Sequence, residues 1–317
     1  MNEKKLKHIL VELEKKSKKK KRICCWKDCQ KEAISSHLLQ KNGVLNQIAE
    51  NGKLYELKVD YFSESLLKFK STGLKDALTF PGFCIEHDTE IFSSIETQTI
   101  NFNNYNVQLL FSYRALINER RKKEILVDFY DSILNSSALK SELKKDHIKF
   151  YQNQKQQQEL GIRDSRYYEE LMLTNIENPN LKDFSFFSYE FTKKPVCISG
   201  TFSYETTNEI NLIGIESLLT QIYFHLIPQT NKSIFIIGFP NTRKEKVWDY
   251  IISFENSEKT INKKISSVMI NQLENWLCSP KMYDEKFRQI EDKISLLSQL
   301  SYYTGDERTF LDIDLFE

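Results

Sequence analysis

Cys24-Cys25-Trp26-Lys27-Asp28-Cys29 near the start of the chain, and Phe83-Cys84-Ile85-Glu86-His87-Asp88 further on, carry most of its chemical information. Thiolate and imidazole are the ligands that a tetrahedral Zn²⁺ selects, and two close pairs held apart by a longer insert are how structural zinc modules are built. The first pair is Cys24 or Cys25 with Cys29; adjacent thiols are poorly placed to bind one ion together, and the spacing leaves the choice between them open. The second pair, Cys84 and His87, straddles a predicted helix start. One helical turn brings both to the same face, and the partly positive helix N-terminus favours a thiolate there. The expected ligands are Cys24 (or its neighbour Cys25), Cys29, Cys84 and His87, around a structural Zn²⁺. Without a metal, the same thiols would serve as small core residues and His87 would sit on a helix surface.

The rest of the composition narrows the class. The chain has 317 residues, 40% of them hydrophobic and 12% aromatic, enough for two domains with real cores. With only nine glycines, it has no phosphate-binding glycine loop and no dinucleotide fingerprint. The N-terminus carries no apolar leader, and no apolar run reaches membrane-spanning length, so a cytoplasmic location and no membrane partner are expected. Reduced thiols in that compartment point to metal or catalysis before disulfides. The net charge of +1 names no partner, but residues 1–22 hold ten Lys or Arg against three Glu. A basic run is by default a solvated helix end. Here, directly before Cys24, it could also attract phosphates.

Hydrophobic periodicity predicts an amphipathic, increasingly basic helix over 3–20, with Leu6, Ile9, Leu10 and Leu13 on one side. The cysteine-bearing module spans 23–100. It contains a short helix over 42–50, a strand over 53–62, a helix over 66–78, and a turn at Pro81-Gly82 that delivers Cys84. Helical spacing continues from 105 to about 173, broken at Ser136-Ser137. Beyond Asn178-Pro179 come β-branched and aromatic runs at 184–191, 196–204, 222–227 and 233–239, with a hairpin at 229–232. Helices follow at 243–254 and from 259 to 300, interrupted at Ser279-Pro280. The fold class is α+β: a basic tail (1–22), a zinc module (23–100), a helical region (101–178), and an α+β module with a mainly antiparallel sheet (179–317).

A knuckle, an intervening segment, and a ligand pair opening a helix together resemble a treble-clef zinc finger over roughly residues 23–97. Within that class the chain is similar to the His-Asn-His (HNH, or His-Me finger) nucleases. The resemblance implies that Ala33-Ile34-Ser35-Ser36-His37 is the strand ending in the general-base histidine. It also implies that Asp88 binds a catalytic Mg²⁺ or Mn²⁺, that zinc is structural, and that residues 15–22 with Lys41 contact nucleic acid. The reaction so implied is phosphodiester hydrolysis, with His37 deprotonating water. For His37 two other readings stand beside this one. It could be a ligand in a Cys29/His37/Cys84/His87 set, or a structural histidine beside Ser36, itself a candidate helix N-cap. The C-terminal α+β module would recognise a protein partner or a ligand, and for the whole chain the alternatives are a non-catalytic interaction scaffold and a sequence-independent nucleic-acid binder.

Other residues have bland expectations. His147 is solvated, His225 is a hydrogen-bonded sheet histidine, and Cys197, Cys278, Trp248 and Trp276 are core. Arg114 and Arg120 to Lys123 lie on a solvated helix face, and Glu90 and Glu96 are surface residues. The acidic stretch 306–317 is a frayed end or a docking tail.

Overall fold

The computed structural model describes every residue except 1, 2, 66, 140, 141 and 215, together with all side chains of the remainder except that of Tyr302. In chain order the elements are α1 (Glu3–Lys19), β1 (Ser35–His37), β2 (Lys53–Val59), β3 (Leu67–Gly73), β4 (Thr79–Pro81), α2 (Ile85–Phe92), α3 (Tyr105–Leu134) and α4 (Lys145–Glu177). There follow β5 (Phe184–Thr192), β6 (Val196–Ser203), α5 (Thr207–Ile213), β7 (Gln221–Pro228), β8 (Lys232–Pro240), α6 (Lys244–Ile252), α7 (Glu258–Asn271), β9 (Trp276–Cys278), α8 (Pro280–Met282) and α9 (Arg288–Thr304).

The fold is α+β, and every strand pair among the described residues is antiparallel. β1 and β4 form a small ribbon, while the other strands form a seven-stranded sheet in the order β3-β2-β9-β6-β7-β8-β5. The sheet thus runs across residues 100 and 178: the β2–β3 hairpin leaves the cysteine-bearing region and joins β9 through Tyr55 and Glu56.

Strands β6, β7 and β8 are almost wholly buried, which is why they read as unbroken apolar runs and not as alternating ones. Tyr223, Ile227, Ile234 and Ile236 face the core that contains α3. Ile222, Phe224, Leu226, Phe235 and Ile237 face a second core with residues of α6, α7 and α9. Helix α3 also packs on the other side against Phe83, Phe92 and Ile95 of the cysteine-bearing region. One helix therefore carries that region on one flank and the sheet on the other.

Several expectations need correction. The segment expected as a helix over 66–78 is strand β3 from Leu67, with Leu66 outside the described residues. Its partner β2 matches it residue for residue from Val59↔Leu67 to Lys53↔Gly73, and this ladder overrides the local leucine spacing. The short helix expected over 42–50 is a single 3-10 turn at Leu45–Gln47. The expected helix from 259 breaks after Asn271 to admit β9, because Trp276–Cys278 fills the gap between β2 and β6. The acidic C-terminal stretch is not frayed. The Leu311 and Leu315 N–H groups donate to the Ser267 and Ser266 hydroxyls (2.7 and 2.9 Å), and Leu315 is 2% exposed.

Candidate metal centre

The knuckle begins where α1 ends. Residues 22–33 fold into a tight antiparallel loop, with the Cys24 N–H donating to Lys31 O and the Ala33 N–H to Arg22 O (both 2.8 Å). Asp28 makes the reversal at φ 59°, a left-handed conformation that Asp tolerates better than most side chains. The turn points inward: the Trp26 N–H donates to Cys24 Sγ (3.4 Å), and the Cys29 N–H to Trp26 O (3.1 Å).

The second pair arrives through backbone bonds to the same loop. The Cys25 N–H donates to Gly82 O (2.9 Å) and the Ile34 N–H to Phe83 O (2.8 Å), which seats residues 82–84 against the knuckle. β1 and β4 continue that pairing through Ser36↔Phe80. Cys84 is the N-cap of α2, in extended conformation, and His87 lies in the first turn. Lys31 of the loop pairs with Glu86 of the helix and closes the outer side.

The four expected ligands converge. Their donor atoms all lie within 4.8 Å of one another, and theirs is the only such Cys/His/carboxylate group among the described residues. His87 Nδ1 stands 3.4 Å from Cys24 Sγ and 3.3 Å from Cys84 Sγ, and Cys29 Sγ is 4.0 Å from Cys84 Sγ. Zinc bonds of about 2.3 Å to sulfur and about 2.0 Å to nitrogen give tetrahedral edges of about 3.5–3.8 Å, so this donor set fits the ion. Cys24, not Cys25, belongs to the quartet, and His37 does not. All six cysteines are free thiols.

Burial pushes the Cys24 thiol up to about 12. Burial opposes ionisation of Cys84 as well, but the His87 and Glu86 N–H groups and the neighbouring thiols outweigh it and hold this thiol below its usual range. Both cysteines are almost equally buried, and at Cys84 the helix N-terminal N–H groups outweigh desolvation whereas at Cys24 desolvation prevails.

Cys25 points away from the quartet. Arg121 Nη2 donates to its sulfur and to Ile23 O (both 2.8 Å), and the same guanidinium pairs with Glu124 (2.6 Å). Arg120 bridges Glu124 and Glu169 (2.8 and 3.0 Å). These arginines were expected on a solvated face, yet Arg114, Arg120 and Arg121 are 1%, 8% and 5% exposed. Their carboxylate partners make burial tolerable. The missed signal lies in the spacing: Leu110, Arg114, Ile117 and Arg121 share one helical stripe, so Arg114 belongs to the apolar face.

The two residues expected to be catalytic lie outside the quartet. His37 ends β1, half-buried, and its Nε2 is 3.1 Å from Leu74 O. A carbonyl only accepts, so Nε2 is the donor, and in the neutral imidazole Nδ1 is then the acceptor. Ser36 is no helix cap: its buried hydroxyl accepts from the Phe83 N–H (3.3 Å). Asp88, in α2, is 3.4 Å from Arg114 Nη2, while Arg114 Nη1 holds Glu96 at 2.6 Å and the guanidinium lies 4.0 Å over the Phe92 ring. A cleft of about 780 Å³ opens between the knuckle and α3–α4, lined by Cys25, Trp26, Arg120 and Glu169 but by neither His37 nor Asp88.

The remaining expectations concern isolated residues. His225 is fully buried between Ser199 Oγ (3.0 Å, Nδ1) and Ser112 Oγ (3.2 Å, Nε2), and burial depresses its pKa to about 3. His147, Glu90 and Glu96 are exposed, Cys197, Cys278 and Trp276 are buried, and Trp248 is half-buried. Along the basic run, Lys15 and Lys18 pair with Glu12 and Glu14, Lys20 and Arg22 with Asp128, and Lys21 with Glu32. No helix among the described residues is long and apolar enough to cross a membrane. Compared with protein-family models, curated proteins and solved structures, the chain matches none.

Proposed function

We propose that the chain is a zinc-stabilised, HNH-like metal-dependent nuclease built on a treble-clef arrangement. The observation that carries this reading is the placement of His37. Its Nε2–H is anchored on Leu74 O at the end of a strand fastened to the knuckle, so in the neutral ring Nδ1 is the nitrogen that accepts a proton. In the proposed reaction His37 Nδ1 takes a proton from a water aligned on the phosphorus of a phosphodiester. Zinc, held by Cys24, Cys29, Cys84 and His87, supplies a crosslink that keeps strand and helix in register. A Mg²⁺ or Mn²⁺ at Asp88 would supply charge neutralisation on the scissile phosphate. For this, Asp88 must give up its long contact with Arg114, which Glu96 would continue to hold. Exposed Lys16, Lys19 and Lys41 keep the N-terminal end basic for phosphate contacts.

A second reading, a non-catalytic interaction protein with a purely structural zinc, is favoured by the engagement of Asp88 with Arg114 and by the position of the knuckle cleft away from His37. Incubation with plasmid DNA and with RNA, with Mg²⁺ or Mn²⁺ added, separates the two. The nuclease reading expects divalent-dependent cleavage that disappears in His37→Ala while zinc content and melting temperature are retained. Cleavage that survives His37→Ala removes the general-base assignment. Neither cleavage nor salt-sensitive binding to either nucleic acid leaves the scaffold reading.

A further inference from the structure

The two ends of the seven-stranded sheet are treated differently. At the β3 edge, α9 covers the open backbone: the Leu67 N–H donates to Ser295 Oγ (3.3 Å) and the Phe69 N–H to the Glu291 carboxylate. Lys68 on the same edge pairs with Glu291 (3.4 Å) and Asp292 (2.7 Å). Charged, covered edges are the usual protection against strand addition.

β5, at the other end, is covered only towards its start, where Tyr105 Oη accepts from the Phe184 N–H and the Ser188 hydroxyl donates to Asn103 Oδ1 (2.7 Å). It runs nine residues as Phe184-Ser185-Phe186-Phe187-Ser188-Tyr189-Glu190-Phe191-Thr192, without proline, lysine or bulge, in unbroken register with β8. Its one charge, Glu190, is neutralised by Lys232 of β8 (2.5 Å). Asp183 O accepts from Asn241 N on the β8 side (2.8 Å), while the Phe184 N–H turns the other way, to Tyr105 Oη (3.4 Å). Antiparallel alternation then puts the backbone groups of Phe186, Ser188, Glu190 and Thr192 on the open side. Phe186, Phe187 and Tyr189 are only half-buried along it.

We propose that β5 is a pairing edge for a second copy of this chain, strand to strand and antiparallel, with the two-fold axis at Ser188. Self-complementarity points to this occupant, and centring on Ser188, the midpoint of the strand, pairs all nine residues. Centred on Ser188, Phe187 faces the other protomer's Tyr189, and Asp183 faces its Lys193. Aromatic and opposite-charge cross-strand pairs are the stabilising kinds. Each such pair occurs twice, as an isologous interface requires. A register centred on Glu190 would set two carboxylates against each other. The seven-stranded sheet of one protomer would then continue into that of its partner, covering both aromatic margins.

The test is sedimentation of the full chain over a range of concentrations, combined with amide exchange. The expected result is a monomer–dimer equilibrium in which the amides of Phe186, Ser188, Glu190 and Thr192 slow as the dimer forms. Ser188→Pro removes an N–H that faces away from β8, so no ladder bond within the chain is lost. It should weaken the dimer at least about tenfold, the value of the two central bonds, whereas Ser188→Ala should not. Lys193→Glu, which leaves the strand untouched, should weaken it as well and serves if the proline variant folds poorly. A chain that stays monomeric throughout overturns the proposal. So does a dimer whose β5 amides exchange as in the monomer, or one indifferent to both Ser188→Pro and Lys193→Glu.

Discussion

Cys29 Sγ and Cys84 Sγ stand 4.0 Å apart although fifty-five positions separate them in the chain. Between them the polypeptide builds β1, leaves to form the β2–β3 hairpin of the large sheet, and returns through β4. A metal at this point closes a loop that belongs partly to another part of the fold. Its removal should therefore be felt beyond the knuckle. Chelation at neutral pH is expected to lower the melting temperature and to speed amide exchange in β1, β4 and α2, since binding energy at such a site is folding energy. Unchanged melting after verified metal removal would contradict this.

The adjacent thiols should behave differently. Cys24→Ser is expected to release the metal. Cys25→Ser should retain it and lose only the Arg121 contact, an effect of about 1–2 kcal/mol in urea unfolding. Metal content of the two purified variants checks the assignment, and equal loss from both would contradict it.

Arg114 is the buried cation that fastens α2 to α3, with Asp88 and Glu96 as its carboxylates and Phe92 beneath it. Arg114→Ala empties a buried site over Phe92 and removes the charge-assisted bond to Glu96, and should destabilise the protein by about 2–4 kcal/mol. The loss should appear as a lower urea midpoint at unchanged slope. A change below about 1 kcal/mol would place this network among weak surface pairs.

His225 has its folded pKa lowered by burial to about 3, below the usual 6.5. Between those values the unfolded chain binds the extra proton, so stability falls as pH drops from about 6.5 towards 3 and is fully present above 6.5. The loss is on the order of 4 kcal/mol at the acid end. His225→Gln should flatten this part of the stability profile. Since ligand protonation also acts in acid, the comparison is between variant and parent at each pH. Superimposable profiles would contradict it.

The C-terminal stretch is packed, so Leu315→Ala should cost about 2–5 kcal/mol in unfolding free energy. No effect would return these residues to the status of a loose tail.

The parts of this fold that could be read from the sequence are those with a local cause. The Cys/His cluster was legible because clustered thiols with an imidazole serve a chemistry that apolar packing does not require. β5 to β8 were legible because runs such as Ile234-Phe235-Ile236-Ile237 suit little besides a sheet covered on both faces. β3 was not, because Leu67, Phe69 and Leu74 fit a helix as well as a strand, and only pairing with β2 decides. β9 is three residues held by β2 and β6, strands distant in sequence. The burial of Arg114 depends on carboxylates from another helix and the turn after it, so its charge alone suggested solvent. The position of His37 at a strand end was anticipated. Its hydrogen bond to Leu74 was not, because β3 had been expected as a helix.

X-ray absorption at the zinc edge of the purified chain probes the metal centre most directly. Three sulfurs at about 2.3 Å and one nitrogen at about 2.0 Å are predicted, at one zinc per chain, unchanged in His37→Ala and lost in Cys84→Ser. Absence of zinc, a shell with two sulfurs, or a shell altered by His37→Ala would contradict it.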